Sequence, residues 1–189
     1  MAIIFSLLRR PAYVIMEEYS VGGKDISEKM LEEYSDVFAD IFNGLLFEGR
    51  KVIDPEDLTD VPGQRSQFRA DDGALHEQER DVSKFWGKEG SILSLLGIEN
   101  QTRADPDAVL RVISYDGASY KSQLLKDSGA GDKAARTGSK GFNRRFPAVT
   151  LVLYFGADRW RYPLSLKDRL LVPEELDGFV SDYRINVFV

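Results

Sequence analysis

A chain of 189 residues with 43% apolar and 30% charged side chains can bury a substantial core, which excludes disorder throughout. A net charge of -6 argues against coating nucleic acid or membranes by bulk attraction, while leaving room for a local basic patch. The absence of cysteine removes disulfides, thiolate metal sites and a cysteine nucleophile, and fits a reducing, cytoplasmic setting.

Residues 1 to 24 read as an N-terminal extension. Their apolar run, residues 1 to 8, is followed by Arg9-Arg10-Pro11, so its charge lies on the wrong side for a secretory signal and it is too short to span a bilayer. Residues 1 to 15 differ in composition from the rest of the chain and are expected to be an upstream addition set by start-site choice. From 25 to 47, Met30, Leu31, Tyr34, Val37, Phe38, Ile41, Phe42, Leu45 and Leu46 recur at helical spacing, which predicts an amphipathic helix broken near Ser35. Asp25 or Ser27 would cap its start, and Gly44 and Gly49 mark its end. Asn43 is placed to satisfy a helix end. Residues 51 to 75 hold only brief apolar islands, Val52-Ile53 and Leu58, among Pro55, Pro62 and Gly63, and one short strand is expected there.

Residues 80 to 86 alternate imperfectly, and Gly87-Lys88-Glu89-Gly90 supplies a turn before Ile92 opens a second strand, so an antiparallel hairpin is expected. With the turn centred near Glu89 or Gly90, facing residues sum to about 178 to 180, which sets Asp81 within two residues of Glu99. Glu79 is a substitute ligand if the hairpin register shifts, although a one-residue slip would change its face. Alternation along the second strand puts Glu99 and Gln101 on one face with Leu93, Leu95 and Gly97.

Asp105-Pro106 reads as a helix start, with Val109, Ile113, Tyr120 and Leu124 along one face. Residues 126 to 145, rich in Gly, Ser and basic side chains, are expected to be a mobile loop. Residues 147 to 155 form a nearly continuous β-prone apolar run, the pattern of a strand covered on both faces. A short helix near 165 to 171 and a β-prone end from 183 to 189 close the chain.

The expected architecture is therefore α/β, a mixed central sheet flanked by helices, with one edge of the hairpin collecting two carboxylates and an amide. Hard oxygen ligands at Asp81 and Glu99, with the backbone carbonyl of Asn100, suit Mg²⁺, which completes its octahedron with waters and phosphate oxygens. Gln101 can position a water or a phosphate through its amide but cannot act as a charged proton donor. The ordinary alternative for Asp81 and Glu99 is a solvent-facing ion pair with Arg80 or Lys84. His76, the only histidine, lies among acids with no second zinc ligand. Neither a phosphate-binding glycine loop nor a Gly-x-Ser-x-Gly element is present. Arg111 suits a phosphate and a surface pair with Asp107 equally well, and Lys133, Arg136, Lys140, Arg144 and Arg145 form a basic run suited to a DNA backbone.

The order of elements, Asp81, and Glu99-x-Gln101 within Leu96-Gly97-Ile98-Glu99-Asn100-Gln101-Thr102 resemble the PD-(D/E)XK nuclease superfamily. The similarity is to its Rpn branch of recombination-promoting nucleases and transposase-like proteins, in which Gln commonly stands where other nucleases carry Lys. Matches at Tyr34-Ser35-Asp36, Arg80-Asp81-Val82, Arg111-Val112 with Tyr115-Asp116, and residues 149 to 156 continue it from about residue 30 to the end. The resemblance implies a restriction-endonuclease-like αβββαβ core over residues 25 to 189. It implies a Mg²⁺-dependent DNA endonuclease, with Mn²⁺ as a substitute ion, in which Asp81 and Glu99 hold metal and Gln101 replaces the Lys. Residues 104 to 109 depart from the family pattern in lacking a Met-Pro pair, and relatives often run further at the C-terminus. The alternative expectation is therefore a shortened, catalytically weak or inactive relative that binds DNA or protein, as a homodimer or paired with a full-length copy, and has no membrane role.

Overall fold

The computed structural model describes residues 31–61, 66–69, 75–78, 80–129 and 145–189. The expected extension and the caps Asp25 and Ser27 lie outside them, as do Glu79 and the basic residues Lys133, Arg136, Lys140 and Arg144.

Leu31 and Glu32 are helical, the chain turns at Glu33, and Tyr34 is extended before helix α1, Ser35–Leu45, begins. The break expected near Ser35 is thus present. α1 buries Phe38, Ala39, Phe42 and Asn43, positions that fall on one helical stripe, and the rings of Phe38 and Phe42 stack with centroids 4.9 Å apart. Asn43 does more than finish a helix. Its Oδ1 accepts from the backbone N–H groups of Val52 (3.0 Å) and Ile53 (2.9 Å), and its Nδ2 donates to the carbonyl of Ile53 at 2.8 Å. A side-chain amide thereby replaces a missing strand partner for a buried stretch of backbone. Glu48 and Gly49, both at positive φ, turn the chain back to make this contact.

The strands among the described residues are β1 (Leu58–Asp60), β2 (Ser66–Arg69), β3 (Leu75–Gln78), β4 (Val82–Lys88), β5 (Ser91–Gln101), β6 (Ala148–Tyr154) and β7 (Asn186–Phe188). The main sheet is mixed, in the order β1-β4-β5-β6-β7, with β1, β4 and β5 antiparallel and β5, β6 and β7 parallel. β4 and β5 meet through the two-residue turn Glu89-Gly90, both at positive φ, the conformation whose twist matches the strands it joins. Facing residues sum to 180 from Val82↔Ile98 to Trp86↔Ser94, in agreement with the expected hairpin, and a bulge at Trp86/Gly87 shifts the last two pairs by one. β2 and β3 form a separate antiparallel ribbon where only one short strand was expected, and His76 pairs there with Phe68. Polar sequence with little alternation concealed it.

Because β5 and β6 are parallel they need a crossover, and α2, Ala108–Gly129, supplies it. Two cores result. Leu58, Val82, Leu96, Ile98, Leu151 and Leu153 face α1, while Val152 faces Ala108, Val109 and Val112 of α2 together with Ile185. Two expectations for α2 need correction. Asp105-Pro106 makes a turn ahead of the helix, in which Asp105 accepts from the N–H of Asp107 at 2.9 Å, and the buried stripe is Ala108, Val109, Val112, Tyr115, Asp116 and Gln123. Tyr120 and Leu124, assigned to the apolar face, are exposed, because the helix turns polar side chains toward the sheet to meet polar partners there. The tail forms 3₁₀ turns at Lys167–Arg169 and Glu174–Phe179 before β7 pairs with β6. Among the described residues no helix is long and apolar enough to cross a membrane.

Replacing Asn43 with Ala would strand two N–H groups and a carbonyl in the core, and is expected to cost about 3 kcal/mol in urea unfolding.

Candidate functional site

The site lies where β4 begins and β5 ends. The ladder closes at Val82↔Ile98, so Asp81 enters one step earlier on the side of Glu99. Its Oδ2 accepts a 2.7 Å hydrogen bond from the backbone N–H of Asn100. Leu95 donates to Pro147 and Gln101 accepts from Phe155, so the odd-numbered residues of β5 turn their backbone to β6. The even-numbered ones turn theirs to β4. The carbonyl of Asn100 therefore lies on the side occupied by Asp81. The Asn100 side chain goes to the opposite face, where its Nδ2 donates to the buried carboxylate of Glu32 at 2.7 Å.

Glu99 pairs with Val152 across the parallel ladder and so faces α2, and it is only 6% exposed. Arg111, in the first turn of α2, stands with Nη1 3.7 Å from Glu99 Oε1 and Nη2 2.9 Å from Asp105 Oδ2. The surface pair between Arg111 and Asp107 does not form. Asp107 is taken by Arg169, whose Nη2 lies 2.6 Å from Oδ1. The alternative partners of a solvent-facing pair are likewise engaged elsewhere, Lys84 with Asp60 at 2.5 Å and Arg80 with Asp116.

Gln101 is also 6% exposed, and neither its amide nitrogen nor its amide oxygen has a hydrogen-bond partner among the described residues. Arg111 Nε is buried in the same condition. Buried amides are nearly always paired, since leaving one unmet costs about 1 to 3 kcal/mol. Unmet donors and acceptors beside a carboxylate are the mark of a place that receives a polar ligand.

Behind this edge runs an ionic network that the sequence pattern did not reveal. Arg80 reaches across β5 to donate from Nε to Thr150 Oγ1 at 3.0 Å, from Nη1 to Ser119 Oγ at 3.1 Å and from Nη2 to Asp116. Thr150 also donates to Asp116 at 2.8 Å, and the Tyr183 hydroxyl donates to the second carboxylate oxygen. Burial, reinforced by that carboxylate, raises the Tyr183 pKa well above its ordinary value. The passage across β5 is made by Gly97, where a Cβ would stand 2.5 Å from Arg80 Cδ. A glycine inside an apolar strand was the one available signal of such an approach.

Tyr115, one turn along α2 from Arg111, is buried under the Arg80 guanidinium, 5.6 Å from the ring centroid. Its pKa is pushed up to about 12, first by burial and then by the charge of Glu99. Arg145 stands at the other end of the β5–β6 pair, near Leu95, about 13 Å of strand from Glu99. Its Nη1 donates to the carbonyl of Gln123, whose amide holds both the N–H and the C=O of Phe146. Of the residues expected to act together, Asp81, Glu99, Asn100, Gln101 and Arg111 gather at one strand end and Arg145 does not. Lys133, Arg136, Lys140 and Arg144 lie outside the described residues.

No family model, curated protein or solved structure matches this chain. Function therefore rests on the chemistry of the site itself and on the sequence pattern.

Gly97→Ala is expected to cost about 2 to 3 kcal/mol in urea unfolding, since Arg80 must leave its channel. Tyr115 binds its proton more tightly folded than unfolded, so its contribution to stability is complete below pH 10 and is lost as pH rises towards about 12. Tyr115→Phe should flatten that alkaline decline. Glu99→Gln should lower the Tyr115 pKa, read as tyrosinate absorbance against the Phe variant.

Proposed function

We propose that this chain is a metal-dependent DNA endonuclease that hydrolyses phosphodiester bonds, with Asp81 and Glu99 as metal ligands and Gln101 as the positioning amide. The observation that carries this reading is the buried, unpartnered Gln101 amide two residues from Glu99 at the strand end where Asp81 also stands. The donor set fits Mg²⁺. Among the described residues no group of three or more Asp, Glu or His forms a preassembled cage. Two carboxylates and the Asn100 carbonyl leave several positions to water and phosphate, the mode in which Mg²⁺ usually binds, with Mn²⁺ an acceptable replacement. Mg²⁺ bound here would supply Lewis-acid stabilisation of charge on the phosphate and activation of a water.

The residues of the chain have separate tasks in this reading. The N–H of Asn100 holds one oxygen of Asp81, which fixes the orientation of the carboxylate at the strand end. Gln101 can donate to a phosphate oxygen or accept from a water, and so orients the reactants without moving a proton itself. Burial of Glu99 and Gln101 lowers the local dielectric and strengthens each of these contacts. The restriction-endonuclease-like core is supported by the order α1, β1, β4, β5, α2, β6, with the β2–β3 ribbon as an insertion. Resemblance to the Rpn branch supports a role in DNA rearrangement, with Arg111, Arg145 and the basic run from Lys133 to Arg144 as backbone contacts.

One observation favours a second reading. Arg111 already stands beside Glu99, as it would in a nuclease relative that has given up catalysis and serves as a DNA-binding or protein-interaction module. A plasmid-nicking assay separates the two. Nicking in Mg²⁺ should disappear with EDTA and fall at least about a hundredfold in Glu99→Ala, since losing even an outer-shell partner of a metal ligand costs about 10- to 100-fold. Nicking that survives Glu99→Ala would remove the site assignment, and a well-folded protein that neither nicks nor binds Mg²⁺ by titration would favour the second reading.

A further inference from the structure

We propose that Arg111 is a shared counter-ion. It competes with the divalent cation for Glu99 and, once displaced, passes to the phosphate of the bound DNA strand. The inference rests on the metal reading of Asp81 and Glu99.

Three features of the geometry point to it. The grip of Arg111 on its two carboxylates is unequal. At 2.9 Å from Asp105 it is within hydrogen-bond range, whereas at 3.7 Å from Glu99 it is an ion pair without a hydrogen bond, so the Glu99 side is the one that yields. The Arg111 side chain is 41% exposed while that of Glu99 is 8% exposed, so the guanidinium has open space to move into and the carboxylate does not. Finally, Arg111 Nε is a buried donor without a partner among the described residues, as is the amide of Gln101 on the same strand end.

A divalent cation held by Glu99 would sit at about 2.1 Å from its oxygen and within a few ångströms of Arg111 Nη1, where like charges repel strongly. The two cations therefore exclude each other at Glu99. Asp105 keeps Arg111 tethered as it moves, since its carboxylate is fixed by the N–H of Asp107 at 2.9 Å. With Nη2 held by Asp105, Nη1, the group that faces Glu99, is left as a single charged donor for a phosphate oxygen. Metal loading and phosphate binding are coupled through one side chain.

The test uses calorimetric titration of the whole chain with Mg²⁺ alone, and anisotropy of a short labelled DNA duplex in Ca²⁺. Arg111→Gln is expected to bind Mg²⁺ about tenfold more tightly and DNA about tenfold more weakly. Asp105→Asn, which keeps the turn but frees Arg111 to lean on Glu99, is expected to bind Mg²⁺ more weakly and so shifts in the opposite direction. A purely structural Arg111 would lower melting temperature in both variants and leave Mg²⁺ affinity unchanged. Glu99-dependent Mg²⁺ uptake whose affinity is the same or weaker in Arg111→Gln overturns this inference alone. Uptake that is absent, or that persists in Glu99→Ala, overturns the metal reading and this inference with it.

Discussion

The structure depends on one charged side chain crossing a β-strand. Arg80 leaves the start of β4, passes over β5 at Gly97 and ends between Asp116 of α2 and Thr150 of β6. That single guanidinium ties three elements whose contacts are 36 to 70 positions apart in sequence. Tyr183 closes the far side by donating to Asp116, so the tail is joined to the same pair. A buried ion pair of this kind adds little net stability over an apolar substitute, but breaking one partner is costly, which favours a unique arrangement of the elements it joins. Here the arrangement it favours is the position of the next residue, Asp81.

From that anchor the candidate site is set by covalent geometry. With Arg80 drawn towards α2, Asp81 meets the N–H of Asn100, and alternation along β5 sends Glu99 and Gln101 to the α2 face. Asn100 points to the α1 face and meets Glu32 there. The strand end is thus braced from both layers. Arg111 places positive charge beside Glu99 on the α2 side, and Gln101 on the same face carries none.

The hairpin was legible in the sequence because the turn residues and the apolar alternation agree, and its register of 180 falls within the expected range of 178 to 180. β6 was legible because residues 147 to 155 form a nearly continuous β-prone apolar run, and the strand is buried or half-buried throughout. The break before α1 was also visible. The buried face of α2 was not, since Asp116 and Gln123 lie inward while Leu124 and Leu125 lie outward, the reverse of what hydropathy suggests. Those polar residues are buried because Arg80, Thr150 and Phe146 are there to receive them, and such partners are long-range information. Arg80 itself was read only as a surface neighbour of Asp81, and nothing local marks it otherwise except the glycine it crosses. The separation of Asp105 from Asp107 as partner of Arg111 also escaped, because it turns on a helix that starts two residues later than its capping signal.

The central claim is that Asp81, Glu99 and the Asn100 carbonyl converge on one cation. Diffraction from crystals soaked in Mn²⁺, read at the manganese absorption edge, tests this directly. The expected result is an anomalous peak bounded by those three groups, with Arg111 turned away from Glu99. A peak elsewhere on the chain, or ordered Asp81 and Glu99 with no peak between them at saturating Mn²⁺, would contradict it.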